Sequence, residues 1–134
     1  EGMEHRIKSY GYSKLCNLLY AAELRRRLAG DGVGVLALCP GVADTGLKRY
    51  LPQTEENQAL FQKMYSKESN PAAKTITEAA ATSVFLAGSP LNDLDDMLYW
   101  TNCRALHPSD LACDEGAAAE LWALSEKFVS KHST

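Results

Sequence analysis

Residues 33–39, Val-Gly-Val-Leu-Ala-Leu-Cys, form an apolar run without alternation, and Pro40-Gly41 halts it. A strand with one wet face alternates apolar and polar side chains, so an unbroken run predicts a strand covered on both faces, as in a parallel sheet. The segment before it narrows the fold further. From about Tyr10 to Ala29, residues set about 100° apart bring Leu15, Leu18, Leu19 and Ala22 onto one face, which Ala21, Leu24 and Leu28 widen. This predicts a buried helix. Arg25, Arg26 and Arg27 crowd its last turns as a solvated end where cations complement the helix dipole, and Gly30-Asp31-Gly32 supplies the stop. A helix that feeds a buried strand points to α/β architecture.

From Val42 to Ala73 the chain turns polar and irregular, broken by Pro52 and Asn70-Pro71, with one short helix around Glu56 to Tyr65. Thr75-Ile76-Thr77-Glu78 reads as a capping box, because Thr75 can accept from the third helical N–H while Glu78 reaches back. It opens an alanine-rich helix ending before Gly88-Ser89-Pro90. Met97 to Asn102, with Leu98, Tyr99 and Trp100, is a short β-prone stretch. Asp114 can cap a last helix in which Ala117, Leu121, Leu124 and Phe128 recur at helical spacing. The order is helix, strand, long loop, helix, strand, helix. A complete doubly wound sheet has about five or six strands, so this is the C-terminal part of a Rossmann-like doubly wound parallel sheet. Residues 1–134 then form a single partial domain, with the N-terminal dinucleotide-binding half absent.

Fourteen basic residues against seventeen acidic leave a net charge of −3, and the pI of 5.6 is far from the basic balance of a nucleic-acid-binding domain. Nucleic acid is excluded as a partner on that ground. No run reaches the roughly 18 apolar residues of a membrane span, and Glu1-Gly2-Met3-Glu4-His5-Arg6 is too polar for a signal peptide. Cys16, Cys39, Cys103 and Cys113 show no CxxC pair, which favours a reducing, intracellular compartment, cytoplasmic or organelle-associated, with any targeting segment upstream of residue 1. Cys103, His107 and Cys113 lack a fourth ligand at convincing spacing, so no metal is expected.

Gly30-Asp31-Gly32-Val33-Gly34 lies between a helix and a strand, whereas a phosphate cradle needs a strand, then glycines, then a helix N-terminus. It is a turn. Tyr10 and Lys14, in Tyr10-Gly11-Tyr12-Ser13-Lys14, stand four apart and about 40° from each other, and continue into Leu18, so both are expected on the buried face. A cation some 4 Å from a phenol, at an effective dielectric near 20, favours phenolate by about 4 kcal/mol, which equips the phenol as a general acid or base. Six tyrosines and eight lysines in 134 residues produce such a pair by chance roughly once in three chains, so the company it keeps decides. Tyr12 is the competing phenol, but its i+4 residue is Cys16.

That company is specific. Tyr10-xx-Ser13-Lys14 opening a long apolar helix, then a strand ending in Pro40-Gly41-Val42-Ala43-Asp44-Thr45, resembles the C-terminal half of the short-chain dehydrogenase/reductase family. In that family a Pro-Gly follows the Tyr-xxx-Lys pair by about 25 to 30 residues, often with threonine four beyond the glycine. Ser13-Lys14-Leu15-Cys16-Asn17, Glu23-Leu24-x-Arg26-Arg27-Leu28, Asn102-Cys103, Pro108-Ser109 and Leu121-Trp122-x-Leu124-Ser125-Glu126 resemble its retinol dehydrogenase and WW-domain-containing oxidoreductase branch. The likeness runs from Ser9 to Val129.

The resemblance implies an NAD(P)-dependent oxidoreductase acting on an alcohol or carbonyl, with a retinoid, steroid or other lipophilic substrate. NADP is favoured over NAD by the resemblance alone. It implies Tyr10 as the proton-exchanging residue and Lys14 as the cation that lowers its pKa and bonds the nicotinamide ribose. Pro40-Gly41 would pass backbone along the nicotinamide, Val42 and Thr45 would bond its carboxamide, and the segment after Thr45 would be a lid. The helix 10–29 would join two copies in a homodimer. The glycine-rich phosphate loop, the residue selecting NAD or NADP, and the catalytic serine would lie upstream of residue 1, so the piece alone should be inactive. The alternative is a non-catalytic truncated fragment or a protein-interaction module.

Overall fold

A computed structural model describes residues 3–43, 45, 46, 49, 54–94 and 96–132. Asp44 of the Pro-Gly motif, the breaker Pro52 and the rest of the segment read as a lid between positions 47 and 53, Arg49 apart, lie outside the described residues. Along the chain run α1 (Met3–Arg27), β1 (Ala37–Cys39), α2 (Glu55–Tyr65), α3 (Ile76–Gly88), β2 (Tyr99–Thr101), β3 (Arg104–Leu106) and α4 (Glu115–Ser130). Single 3-10 turns, Leu91–Asp93 and Asp110–Cys113, precede β2 and α4. The architecture is α/β. Its residues sort into two compact units, one with α1, α4 and the Asp110–Cys113 turn, the other with α2, α3 and the bulk of the sheet.

In the first unit α1 packs against α4 and the 3-10 turn before it. Asp114 caps α4 as expected, its Oδ1 accepting from the Ala117 N–H at 2.9 Å. The buried stripe of α1 is Leu19 and Glu23, four residues apart, and the elements it packs against bury Ala112 and Ala118. That corrects the expectation of a helix buried around most of its circumference. Tyr10 lies about 180° and Lys14 about 140° around the helix from Leu19, so both are carried away from the packed side, and both are exposed. The four-residue spacing is right, but the stripe is centred on Leu19 rather than on Leu18.

In the second unit the Thr75 capping box forms in full: Thr75 Oγ1 accepts from the Glu78 N–H at 3.2 Å, and Glu78 Oε2 accepts from the Thr75 N–H at 2.7 Å. Thr54 caps α2 in the same way, accepting from the Asn57 N–H at 3.2 Å. Trp100 on β2 is buried and lies 6.0 Å from the Phe85 ring of α3. Thr82, 1% exposed, accepts from the Cys103 N–H at 3.1 Å and so ties α3 to the hairpin.

The sheet is three-stranded and mixed, in the order β1-β2-β3. Two residues, Asn102 and Cys103, join β2 to β3, and their φ values of 52° and 57° are those of a primed hairpin turn, which makes this pair antiparallel. The parallel pairing is therefore β1 with β2. The strand expected over Val33 to Cys39 is shorter and less covered: only Ala37–Cys39 pairs, it is half-buried, and Val33 is exposed. A ladder extends only as far as its partner, and the last bond at this end runs from the Ala37 N–H to the Leu98 carbonyl at 2.8 Å.

Candidate functional site

Glycine, serine and two tyrosines in the third turn of α1 give a polar, exposed surface around Tyr10 and Lys14. Ser13 Oγ donates to the Tyr10 carbonyl at 2.7 Å, spending its hydroxyl within the helix. Lys14 Nζ sits over the Tyr10 ring, 5.3 Å from its centroid, a cation–π arrangement held by the i, i+4 spacing. The helix therefore brings the pair together, but in water rather than against the core, with Tyr10 66% exposed. Among the described residues neither the Tyr10 hydroxyl nor the Lys14 ammonium has a protein hydrogen-bond partner. Both are open to a ligand, and the ammonium carries three donors.

Pro40, Gly41, Val42 and Thr45 follow β1 in the second unit. Gly41 has φ +83°, a conformation that costs glycine nothing and a branched residue much. Lys74, at the foot of α3, holds this turn in two ways. Its Nζ donates to the Pro40 carbonyl at 2.9 Å, and its N–H donates to the Val42 carbonyl at 2.8 Å as part of an isolated parallel bridge with Ala43. Val42 is half-buried and Thr45 exposed. Sequence reasoning missed Lys74, whose partner Pro40 is 34 residues away.

It also missed Glu23. This carboxylate, 2% exposed, accepts from Arg26 Nε at 2.8 Å and Nη2 at 2.7 Å, and from Arg27 Nε at 2.8 Å. The Arg26 hydrogen bonds hold its pKa down, from the ordinary 4.5 to about 2, against the opposing effect of burial, and Arg27 adds to them. Arg27 also covers the Trp122 ring at 4.6 Å, and Trp122 stacks on Tyr20 at 4.8 Å. Arg25 pairs with Asp96. The arginine run at the helix end is solvated as read, with Arg26 and Arg27 exposed, and it is a set of anchors as well, for which the Glu-xx-Arg-Arg spacing was the available signal. Among the described residues no group of His, Cys, Asp and Glu could hold a metal ion, and no helix is long and apolar enough to cross a membrane.

Comparison with known proteins gives three informative relatives. The chain is 34% identical over 128 residues to a WW domain-containing oxidoreductase of Danio rerio, covering 96% of this chain and 29% of that protein. It is 36% identical over 120 residues to retinol dehydrogenase 14 of Homo sapiens, covering 90% of this chain and 34% of the relative. With a chloroplastic short-chain dehydrogenase TIC 32 A of Brassica napus it shares 34% identity over 126 residues, 91% of this chain and 37% of that one. The chain thus spans about a third of the length of these relatives. No family model and no solved structure matches it.

Proposed function

We propose that this chain, which belongs to the short-chain dehydrogenase/reductase family and carries part of its Rossmann-like α/β fold, supplies the proton-transfer side of an NAD(P)-dependent alcohol or carbonyl oxidoreductase. A nicotinamide dinucleotide, when bound, supplies or takes up the hydride. Tyr10 gives its hydroxyl proton to the substrate oxygen in reduction and takes it back in oxidation. Lys14 stabilises negative charge on the phenol oxygen and donates to the ribose hydroxyls. The Pro40-Gly41 turn passes backbone along the nicotinamide, with Val42 and Thr45 bonding its carboxamide. The substrate is a lipophilic alcohol or carbonyl compound, and the cofactor is NADP or NAD.

One observation carries this reading: the Tyr10–Lys14 pair, preformed at 5.3 Å and exposed, is not consumed by the fold. A lysine serving packing or an ion pair would be engaged, as Arg26 and Arg27 are. The test uses the full-length protein that contains this sequence. Tyr10→Phe keeps the ring, so the thermal unfolding midpoint should hold while turnover falls by roughly 10² to 10⁴. Lys14→Met should weaken dinucleotide binding. Near-parental single-turnover rates for Tyr10→Phe at saturating cofactor would replace this reading with that of a non-catalytic interaction module.

A further inference from the structure

The turn at Pro40-Gly41 has two accessible forms in principle. Proline fixes its own φ near −65°, and the following residue takes φ near +80° in a type II turn or near −90° in a type I turn; the two differ by a flip of the peptide between them. Gly41, at +83°, has the sign of φ that the first form requires. Glycine alone does not hold it there, since glycine populates both signs of φ about equally. A group that binds the Pro40 carbonyl selects between the forms, because that carbonyl points to opposite sides of the chain in the two.

Lys74 does so. Its ammonium donates to the Pro40 carbonyl at 2.9 Å, and its stem lies along the glycine: a Cβ on Gly41 would meet Lys74 Cε at 2.9 Å, Nζ at 3.0 Å and Cδ at 3.2 Å. The backbone of Lys74 is itself fixed, by the bond from its N–H to the Val42 carbonyl within the parallel bridge to Ala43, and the next residue begins the Thr75 capping box. The lysine is therefore rooted at a rigid helix start and reaches onto the turn from a set position.

We propose that Lys74 is a positioning residue that latches the Pro40–Gly41 peptide in one orientation, with the Pro40 carbonyl turned to the lysine and the Gly41 N–H turned the opposite way, and that the latch sets the affinity for the dinucleotide. The second half rests on the reading that this turn faces the nicotinamide. In the flipped form the Pro40 carbonyl would take the place of the Gly41 N–H, replacing a donor with an acceptor. The latch acts by keeping that form unpopulated, because affinity scales with the fraction of protein in the competent form.

The experiment compares Lys74→Met, which keeps most of the stem without a donor, and Lys74→Arg, which keeps a donor, in the full-length protein. Two readouts are followed: the amide resonance of Gly41 in NMR, and steady-state kinetics with NADP and NAD. Lys74→Met should shift the Gly41 resonance and raise the dinucleotide KM several-fold, because losing a hydrogen bond to a charged donor moves the equilibrium between the two forms by about tenfold or more, with kcat at saturation near parental. Lys74→Arg should restore both. An unmoved Gly41 resonance in Lys74→Met would overturn the latch itself. A shifted resonance with unchanged KM for both dinucleotides would overturn the proposal at its other joint, showing that the turn is latched but does not face the cofactor.

Discussion

Helix α1 carries two cation–π pairs, and they are held very differently. Near its C-terminal end Arg27 covers the Trp122 ring at 4.6 Å, while the buried Glu23 binds Arg27 and Arg26 together and Tyr20 stacks on the other partner of the pair. In its third and fourth turns Lys14 lies 5.3 Å over Tyr10, and nothing further among the described residues engages either charged or hydroxyl group. The first cation is spent on holding α1 to α4. The second is not spent on the fold, and on one helix in one unit this separates the part that stabilises from the part proposed to react.

The largest effect on stability should come from breaking the anchored end. Glu23 has its pKa depressed from 4.5 to about 2 in the folded chain, so the folded state binds fewer protons than the unfolded state between these values. The stabilisation is present above pH 4.5 and is lost as pH falls toward 2. Glu23→Gln should therefore lower the unfolding midpoint at pH 7 and flatten its decline below pH 4.5, measured by urea unfolding across that range. Glu78 is depressed to a similar value, first by the Thr75 N–H and then by Lys67, but its side chain is 49% exposed and its contribution is screened. Glu78→Gln should flatten the profile less. An equal effect from both would mean that burial of Glu23 does not set its weight.

The sheet-bearing unit offers an uncharged counterpart to the Glu23 anchor. Thr82 is as buried as Glu23, but it accepts one hydrogen bond, from the backbone of Cys103. Thr82→Val keeps the shape and leaves that N–H without its acceptor, a loss of about 1–2 kcal/mol in unfolding free energy. Denaturant titration measures it, and the loss should not vary with pH between 3 and 7, because no titrating group is involved. A pH-dependent loss would join the two anchors into one network and erase the contrast.

Much of this was legible in the sequence wherever the determinant was local. The Thr75 and Asp114 caps need only residues three apart, and both formed as read. The β-prone stretch around Trp100 was found, yet β3 was not, because Asn102-Cys103 lacks the glycine that usually marks a two-residue hairpin. Its two positive φ values are instead accommodated next to the bond that the Cys103 N–H donates to Thr82. The Tyr10–Lys14 pairing was legible from spacing, but its exposure was not, because the packed stripe of α1 is chosen by α4 and the 3-10 turn before it. Lys74 was invisible for the same reason: its partner is adjacent only after folding.

The smallest expected effect is the sharpest control on the comparison between the two ends of α1. Tyr12 is 65% exposed against 66% for Tyr10, on the same helix and two residues away, so exposure and ring chemistry are matched. What differs is the neighbour: Tyr12 lies about 160° around the helix from Tyr10, and the residue four positions on is Cys16, a thiol rather than a cation. Tyr12→Phe should leave the unfolding free energy within about 0.5 kcal/mol of the parent, as exposed substitutions do, and should change turnover by less than about tenfold, against the roughly 10² to 10⁴ expected for Tyr10→Phe. Single-turnover rates at saturating dinucleotide compare the two variants directly. A loss for Tyr12→Phe as large as for Tyr10→Phe would mean that the cation over Tyr10 confers no advantage, and that the unconsumed pair on α1 is not what carries the proton.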